Sequence, residues 1–519
     1  MEEAKEIATI DNEKVKQILN KTIFILEFII SAIFMIFYYK FICKRAYEGY
    51  NSVKCLIICG ITGIGIVATI IYMIIKNKDR IEKIFVAIAI PIGMAYLIFL
   101  IPTYAPDENA HIYRSYEISE GILVTQSNEE NLIKSNIPKF FVDNNHLTLK
   151  KYSDLNEALK QETDYNEKIE IDAPASSYFL TLYFPNSLMF SLGRVFNING
   201  IIVLYLARMV NFIIFLICGY YTIKLMPFGK LLMMTYLLIP MVVHQAISLS
   251  ADSITNTITL LFIAYTLNLY YRENINRKNK IIYILLAVLV AIHKTAYLPI
   301  VLISLIFLNR KDKPKKQQIK FIAIVIILSI IAGIAWMALS STGEKAQDIY
   351  LITNNVNSSE QVKYIIQHPF NYLKVLVKTM IVNCGNYYLW FMGCSMGWMD
   401  IGIRRLYLHL YFILLICSPF LEKHDKELDI KSKIIFLLVA IMVFVLILTA
   451  LYIGHSGVGT DIIKGVQGRY FIPIVILVLL CLCRKNKNIN IKYIQMIYPV
   501  LIILLNMQVV RTIMNFFIT

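Results

Sequence analysis

The chain has 519 residues, of which 57% are hydrophobic and 17% are charged, and its formal net charge at pH 7 is +16. A soluble protein of this length needs more charge to cover its surface, so the composition excludes an ordinary soluble globular protein. The lysines and arginines lie in short clusters between apolar stretches. This pattern is typical of cytoplasmic loops beside anionic membrane lipids, and it argues against a nucleic-acid partner.

The N-terminal part of the chain predicts three membrane spans. Residues 1–21 are mostly polar, and apolar stretches long enough to cross a bilayer follow at 22–42, 54–75 and 83–104. No small-residue cleavage site follows the first stretch, so we interpret it as a retained helix rather than a signal peptide. We therefore expect a cytoplasmic segment at 1–21 and three spans within 22–104.

A long polar stretch, 105–177, comes next and contains the sequence "APDENAHIYRSYEISEG". A helix starting near Pro106 would carry Asp107, Glu108, His111 and Arg114 on one face. Such a set can act as a general base, a metal ligand or a phosphate clamp. The structural alternative is an interfacial helix with ordinary ion pairs.

The following part of the chain, 178–340, predicts a transmembrane core with broken helices. The sequence "YFPNS" interrupts 178–197, and "HKTAY" interrupts the apolar tract 281–308, so both segments are expected to be half-length or re-entrant. Broken helices are tolerated in a membrane only where they line protein or a wet cavity. Arg208 and Asn211, within the apolar stretch between these breaks, are interpreted as polar residues of helix packing.

Two further clusters of polar residues lie at these breaks. His244 and Asp252 occur in "PMVVHQAISLSADSITN" (240–256), and His293 and Lys294 occur in "AIHKTAYLPI" (291–300). Charged groups inside apolar tracts are costly and usually have a role. We predict that they bind substrate, with Lys294 meeting a lipid phosphate or pairing with Asp252. A purely structural buried ion pair is the alternative.

The C-terminal part contains a second polar stretch, 341–372, and a transmembrane bundle, 373–519. Gln467 and Arg469, in "GVQGRYFIPI" (465–474), stand just before an apolar span. The planar guanidinium of an arginine can bind two phosphate oxygens at once, so both residues are predicted to bind substrate. Anchoring of Arg469 to lipid headgroups is the alternative.

The basic clusters decide the predicted orientation. They lie at 272–280, 310–320 and 484–492. Placing them in the cytoplasm puts 105–177 and 341–372 outside. The predicted fold is an all-α membrane protein with about 11–13 transmembrane or re-entrant helices and a large extracytoplasmic loop after the third span.

The order of the motifs resembles a bacterial polytopic membrane family, catalogued as domain-of-unknown-function family 2142 and similar to the GT-C glycosyltransferase superfamily. The resemblance covers about residues 80–515 and is carried by the order of six short sequences: "PDENAH" at 106–111, "APASSYFLTLYFPNS" at 173–187, "LYLARMVN" at 204–211, "SAD" at 250–252, "HKTAYLP" at 293–299 and "QGRYFIP" at 467–473. It implies a GT-C-like architecture and a sugar donor carried on polyprenyl phosphate. It also implies an acidic base or metal ligand in the first long outer loop, where Asp107 and Glu108 stand. Several spans precede that loop here, whereas one helix precedes it in the simplest GT-C pattern.

Three functions follow as hypotheses. The first is a glycosyltransferase of the bacterial plasma membrane that transfers a sugar from a polyprenyl-phosphate lipid to a glycan or lipid acceptor. Asp107, Glu108 and His111 would be catalytic, and Asp107 and Glu108 could hold a divalent cation, Mg or Mn. The second is a transporter or flippase of lipid-linked glycans. The third is a non-catalytic assembly subunit in which the same residues form structural ion pairs.

Overall fold

The computed structural model describes residues 2–77, 79–125, 133–310, 314–340, 353–485 and 491–518. Over these ranges the chain is mainly helical, and seven helices are long and apolar enough to cross a membrane. A bent pair of helices would make an eighth span, and three shorter apolar helices lie beside them. The predicted all-α membrane protein is confirmed. Of the predicted outer stretch 341–372, residues 341–352 lie outside the described ranges.

The helices are numbered here in chain order: α1 (Glu2–Tyr47), α2 (Val53–Lys76), α3 (Ile81–Phe99), α4 (Glu108–Ser119), α5 (Lys139–Asp143), α6 (Tyr152–Ala158), α7 (Phe184–Val195), α8 (Gly200–Leu225), α9 (Lys230–Leu237), α10 (Pro240–Ala246), α11 (Ala251–Tyr270), α12 (Arg277–His293), α13 (Lys315–Ser340), α14 (Ser358–Gln367), α15 (Pro369–Met392), α16 (Arg405–Cys417), α17 (Ile430–His455), α18 (Ile472–Leu480) and α19 (Ile491–Ile518). The 3-10 helices are Leu180–Leu182, Thr295–Asn309, Ser418–Phe420 and Gly468–Phe471. Four short strands form two antiparallel pairs: β1 (Lys134–Pro138) with β2 (Lys168–Asp172), and β3 (Ser395–Met396) with β4 (Ile401–Gly402).

Helix α3 lies at the centre of the molecule. About nine-tenths of its most apolar segment is buried (94%), whereas less than a quarter is buried in α2 and α13, whose apolar side chains face outward as in a lipid-facing helix. It packs against α1, α8 and α19. Gly93 permits the close approach of α8, because a Cβ there would lie 2.2 Å from the ring of Phe212.

Two breaks in membrane-length helical tracts bring polar residues inside the bundle. Helices α10 and α11 meet at 115°, and Ser250 caps the second helix. Helix α12 ends at His293, Lys294 is extended, and a 15-residue 3-10 helix follows. Runs of 3-10 helix longer than a few residues are uncommon and often mark strain or function. Asp252 and Lys294 therefore stand at interruptions of regular helix.

The segment 105–177 folds against the end of α3. It contains α4, α5, α6 and the β1–β2 hairpin, while residues 126–132 lie outside the described part. The hydroxyl of Tyr152 donates to the carbonyl of Phe99 at 2.8 Å, and the hydroxyl of Tyr39 donates to Asn156 at 3.0 Å. These bonds join α6 to α3 and α1, so the segment predicted as a loop is a folded cap.

Candidate functional site

Four charged side chains from distant parts of the chain meet at one cavity of about 170 Å³. They are Asp107, Asp252, Lys294 and Arg469. Arg469 lies 2.5 Å from Asp107 and 3.6 Å from Asp252, and Lys294 lies 2.9 Å from Asp252. Charges removed from water stabilise one another only when they are paired closely, which explains why the four converge.

Asp107 is held in an unusual backbone conformation immediately before α4. Its φ of 62° is left-handed, a region that aspartate tolerates better than most residues. The nearby Thr103 also has a positive φ, 75°, which is rare for a β-branched residue. The Asp107 side chain is 51% exposed although Arg469 binds its Oδ2. A strained turn thus presents this carboxylate to the cavity.

Arg469 reaches the cavity from the 3-10 helix that precedes α18. Its Nη1 donates to the carbonyl of Pro106 at 3.3 Å, and its Nη2 donates to Asp107. The preceding Gly468 allows this helix to press against α15, since a Cβ there would lie 2.1 Å from the amide nitrogen of Phe391. The guanidinium is almost completely buried, so it is desolvated and fixed in direction.

Lys294 is surrounded by aromatic rings as well as by its acidic partner. Its ammonium lies 4.5 Å from the ring centre of Tyr470 and 5.2 Å from that of Tyr297. Aromatic faces stabilise a cation that has lost part of its hydration. Lys294 remains one-fifth exposed, so it lies between the ion pair with Asp252 and the open cavity.

His111 lines the same cavity from α4, which lies outside the candidate membrane-spanning helices. Its Nδ1 is 2.7 Å from the hydroxyl of Tyr183, and its ring stands edge-on to Tyr178. Burial lowers the pKa of His111 to about 4, against the opposing effect of the nearby carboxylates. The imidazole is therefore neutral near pH 7 and can make hydrogen bonds without adding charge.

One wall of the cavity is apolar and belongs to a candidate membrane span. Ile447, Ala450 and Leu451 of α17 contribute to it, together with Ala296. Charged groups and an apolar helix face thus border the same space. Such a cavity suits a ligand that carries both a polar head and a hydrocarbon chain.

Glu108 does not share the cavity with Asp107. Its carboxylate is fully buried and bound by Arg208, with contacts of 2.8 Å to Nε and 2.5 Å to Nη2. It also accepts from the backbone amides of Leu249 and Ala105. This differs from the expected common face, because the left-handed residue Asp107 precedes the helix and Glu108 begins it. Glu108 and Arg208 instead join α4, α8 and the α10–α11 turn.

Arg114 and His293 likewise point away from the four charges. Arg114 binds Glu117 at 3.1 Å and donates to the carbonyl of Leu123 at 2.6 Å, within the folded cap. His293 pairs through Nε2 with the hydroxyl of Thr181 at 2.8 Å. The described contacts of these two residues are within the protein, and that they bind substrate stays a prediction.

His244 and Gln467 lie on the other side of Arg469. They line a narrow cleft of about 10 Å³ together with Pro106 and Arg469. His244 contacts the amide of the adjacent Gln245 at 3.2 Å. Both residues thus line a cleft with Arg469 without lining the larger cavity, and that they bind substrate stays a prediction.

The described residues do not offer a metal-binding set. No group of three or more histidine, cysteine, aspartate or glutamate side chains in that part of the chain is arranged to hold a metal ion. The two carboxylates predicted to share a divalent cation, Asp107 and Glu108, are bound to different arginines. The donor set therefore does not fit the expected magnesium or manganese site.

Several residues at or beside the cavity were not identified from the sequence. Tyr178 and Tyr470 line the cavity, and Tyr183 holds His111. Tyrosines are so frequent in this chain, at 33 residues, that no single one stands out. For Tyr470 alone a signal was available, because it directly follows Arg469.

Comparison with known proteins gives one match. A family described as "Predicted membrane protein (DUF2142)" matches residues 92–478, which is more than half of the chain. No curated protein matches. No solved structure matches.

Proposed function

Since the chain belongs to the DUF2142 family of predicted membrane proteins, we propose that it is a membrane glycosyltransferase that takes a sugar from a polyprenyl-phosphate carrier. The reaction would occur on the extracytoplasmic face of the bacterial plasma membrane, in the synthesis or modification of a cell-surface glycan. The acceptor is a hydroxyl of a glycan or lipid.

One observation carries the proposal. Two carboxylates and two cations converge on a cavity with an apolar wall, and each charge comes from a different segment of the chain. A lipid-linked sugar phosphate has the matching parts: a hydrocarbon chain, an anionic phosphate and a polar sugar. The cation pair supports phosphate binding, and the α17 wall supports binding of the chain.

Asp107 is the best candidate for the general base. It is the more exposed of the two carboxylates in the cavity, whereas Asp252 is mostly buried between Lys294 and Arg469. In an inverting transfer, the acceptor oxygen forms a bond to the anomeric carbon while the bond from that carbon to the phosphate oxygen breaks. The acceptor proton passes to Asp107, and the bonding electrons leave with the lipid phosphate.

Arg469 and Lys294 would stabilise the departing phosphate as its negative charge develops. A buried guanidinium that is already fixed in direction contributes more here than it would in water, because little reorganisation is needed. His111, as a neutral imidazole held by Tyr183, is suited to a hydrogen bond with a sugar hydroxyl. Asp252 orients Lys294 and Arg469 in this scheme.

The decisive experiment compares Asp107→Asn and Arg469→Lys with Asp143→Asn as a matched control. Asp143 is exposed in the same folded segment and does not line the cavity. Glycans of cells that lack the native protein and express each variant would be profiled, with the protein level measured in parallel. Loss of the base is expected to reduce product on the order of 100- to 10,000-fold. Normal product from both cavity variants would refute the transferase.

The same variants separate a transferase from a flippase. In proteoliposomes, a flippase moves labelled lipid-linked sugar between leaflets without consuming it, whereas a transferase releases free polyprenyl phosphate. We expect release that depends on an acceptor and that Asp107→Asn abolishes. Translocation that is unaffected by the acceptor would favour the flippase.

A further inference from the structure

A second cavity lies at the other end of α3 from the candidate site. It has a volume of about 720 Å³ and is walled by α1, α3 and α8. Helix α3 has 19 residues and is therefore ~28 Å long at 1.5 Å per residue, close to the thickness of a bilayer core. The two cavities are thus separated by about one membrane thickness, and this second one lies at the end predicted to face the cytoplasm.

The second cavity is strongly basic. Lys21, Arg80, Lys83 and Lys224 line it, against one acidic residue, Glu82. Four positive charges and one negative charge leave an excess of three. Lys21, Arg80 and Lys224 are exposed, so their charged groups are accessible to a ligand. This charge predicts an anionic ligand.

Aromatic and aliphatic side chains complete its walls. The ammonium of Lys224 lies 5.7 Å from the ring centre of Tyr220 and 5.9 Å from that of Tyr221. Phe24 and Ile217 line the cavity from α1 and α8. Ile217 and Tyr221 are also exposed on the outer surface of the bundle. A ligand seated here would therefore contact cations at one end and the hydrocarbon region at the other.

Glu82 supplies a second, independent indication. It lines the cavity, only 6% of its surface is exposed, and its Oε2 has no hydrogen-bond partner among the described residues. A buried acceptor without a donor is costly, so native proteins nearly always satisfy it. A ligand with an anionic group and a hydroxyl group would pair with both the basic side chains and the buried Glu82 carboxylate.

We infer that this cavity binds the headgroup of an anionic phospholipid of the predicted cytoplasmic leaflet, specifically a glycerol phosphodiester with a free hydroxyl, such as phosphatidylglycerol. The basic side chains take the phosphate oxygens, and Glu82 accepts from the glycerol hydroxyl. The acyl chains lie along Phe24 and Ile217. This site is independent of the proposed transferase reaction.

Native mass spectrometry of the purified protein, titrated with phosphatidylglycerol or phosphatidylcholine, tests the inference. Lys21→Gln with Lys224→Gln should weaken phosphatidylglycerol binding on the order of tenfold or more, because two favourable charges near the headgroup are lost. The matched control is Lys316→Gln with Lys320→Gln, which removes two exposed charges from α13 and should bind as the native protein does.

Three results would overturn the inference. Phosphatidylcholine could bind as tightly as phosphatidylglycerol, the control could lose as much binding as the cavity variant, or soluble glycerol phosphate could bind as tightly as the lipid. The last result would indicate a site for free phosphate esters. Glu82→Met should abolish the preference for phosphatidylglycerol over phosphatidylmethanol, which lacks the hydroxyl, and a retained preference would remove the role given to Glu82.

Discussion

The guanidinium of Arg469 donates to the carboxylate of Asp107 at 2.5 Å, although 362 positions separate the two residues in the chain. The same guanidinium lies 3.6 Å from Asp252, which in turn binds Lys294. The turn before α4, the start of α11, the break after α12 and the 3-10 helix before α18 are therefore tied together by charge. A substitution at any one of these four places should therefore alter the ion pairs at the other three.

Two adjacent carboxylates should respond differently to loss of charge. Glu108→Gln leaves the buried Arg208 without its counter-ion, so we expect the free energy of unfolding to fall by ~3–5 kcal/mol. Asp107→Asn affects a half-exposed carboxylate and should change stability by about 1 kcal/mol or less. Thermal unfolding of both variants in the same detergent measures the difference. Equal losses would contradict the separate roles assigned to the two residues.

Gly468→Ala should disrupt the candidate site although it replaces no charged residue. The added Cβ would lie within 2.8 Å of three backbone atoms of Trp390 and Phe391, and backbone cannot move aside cheaply. We expect a loss of stability of ~1–3 kcal/mol and displacement of Arg469, with a fall in glycan product. Gly454→Ala is the control, because nothing lies within 4 Å of a Cβ there. Native behaviour of the Gly468 variant would show that this contact is not needed.

The free energy of unfolding should depend on His111 in acid. Its pKa is about 4 in the folded protein against 6.5 when exposed. The unfolded chain therefore binds the proton first as pH falls, which destabilises the fold by up to ~3 kcal/mol between pH 6.5 and 4 and leaves it unchanged above that range. Melting curves at pH 7.5 and 5 should show a smaller loss in His111→Gln. An equal loss in the native protein and in His111→Gln would show that another group causes the destabilisation in acid.

Labelling of single cysteines should fix the orientation. Leu147 is 65% exposed in the folded cap, and Ser358 and Lys315 are exposed at the starts of α14 and α13. Cysteines at Leu147 and Ser358 should react with an impermeant thiol reagent in intact cells, and one at Lys315 should not.

The background for this labelling is an otherwise native chain in which the exposed Cys384 and Cys417 are replaced by serine. Broken cells serve as the positive control, since all three positions should react there. If only the cysteine introduced at Lys315 reacts in intact cells, the candidate site lies in the cytoplasm.

The meeting of the four charges could be anticipated from the sequence, because each charge lies within an apolar tract or at the end of one, and isolated charges are costly there. The sequence could not show that Asp107 and Glu108 bind different arginines. Both are acids in the same tetrapeptide, and only the left-handed backbone at Asp107 turns one towards Arg469 and the other towards Arg208. Arg114 is a similar case, because the sequence does not show that it binds Glu117 and the carbonyl of Leu123 instead of the acids at the cavity.

The charges around the cavity cancel: Asp107 and Asp252 against Lys294 and Arg469. A phosphate that entered would add negative charge that nothing already present balances, and in a poorly solvated space this is costly. The phosphate can therefore bind Arg469 or Lys294 only if it takes the place of a carboxylate that now binds that cation. Binding would then exchange one ion pair for another, and the affinity for a phosphate would be set by the difference in free energy between the two pairs rather than by the attraction of the cations alone.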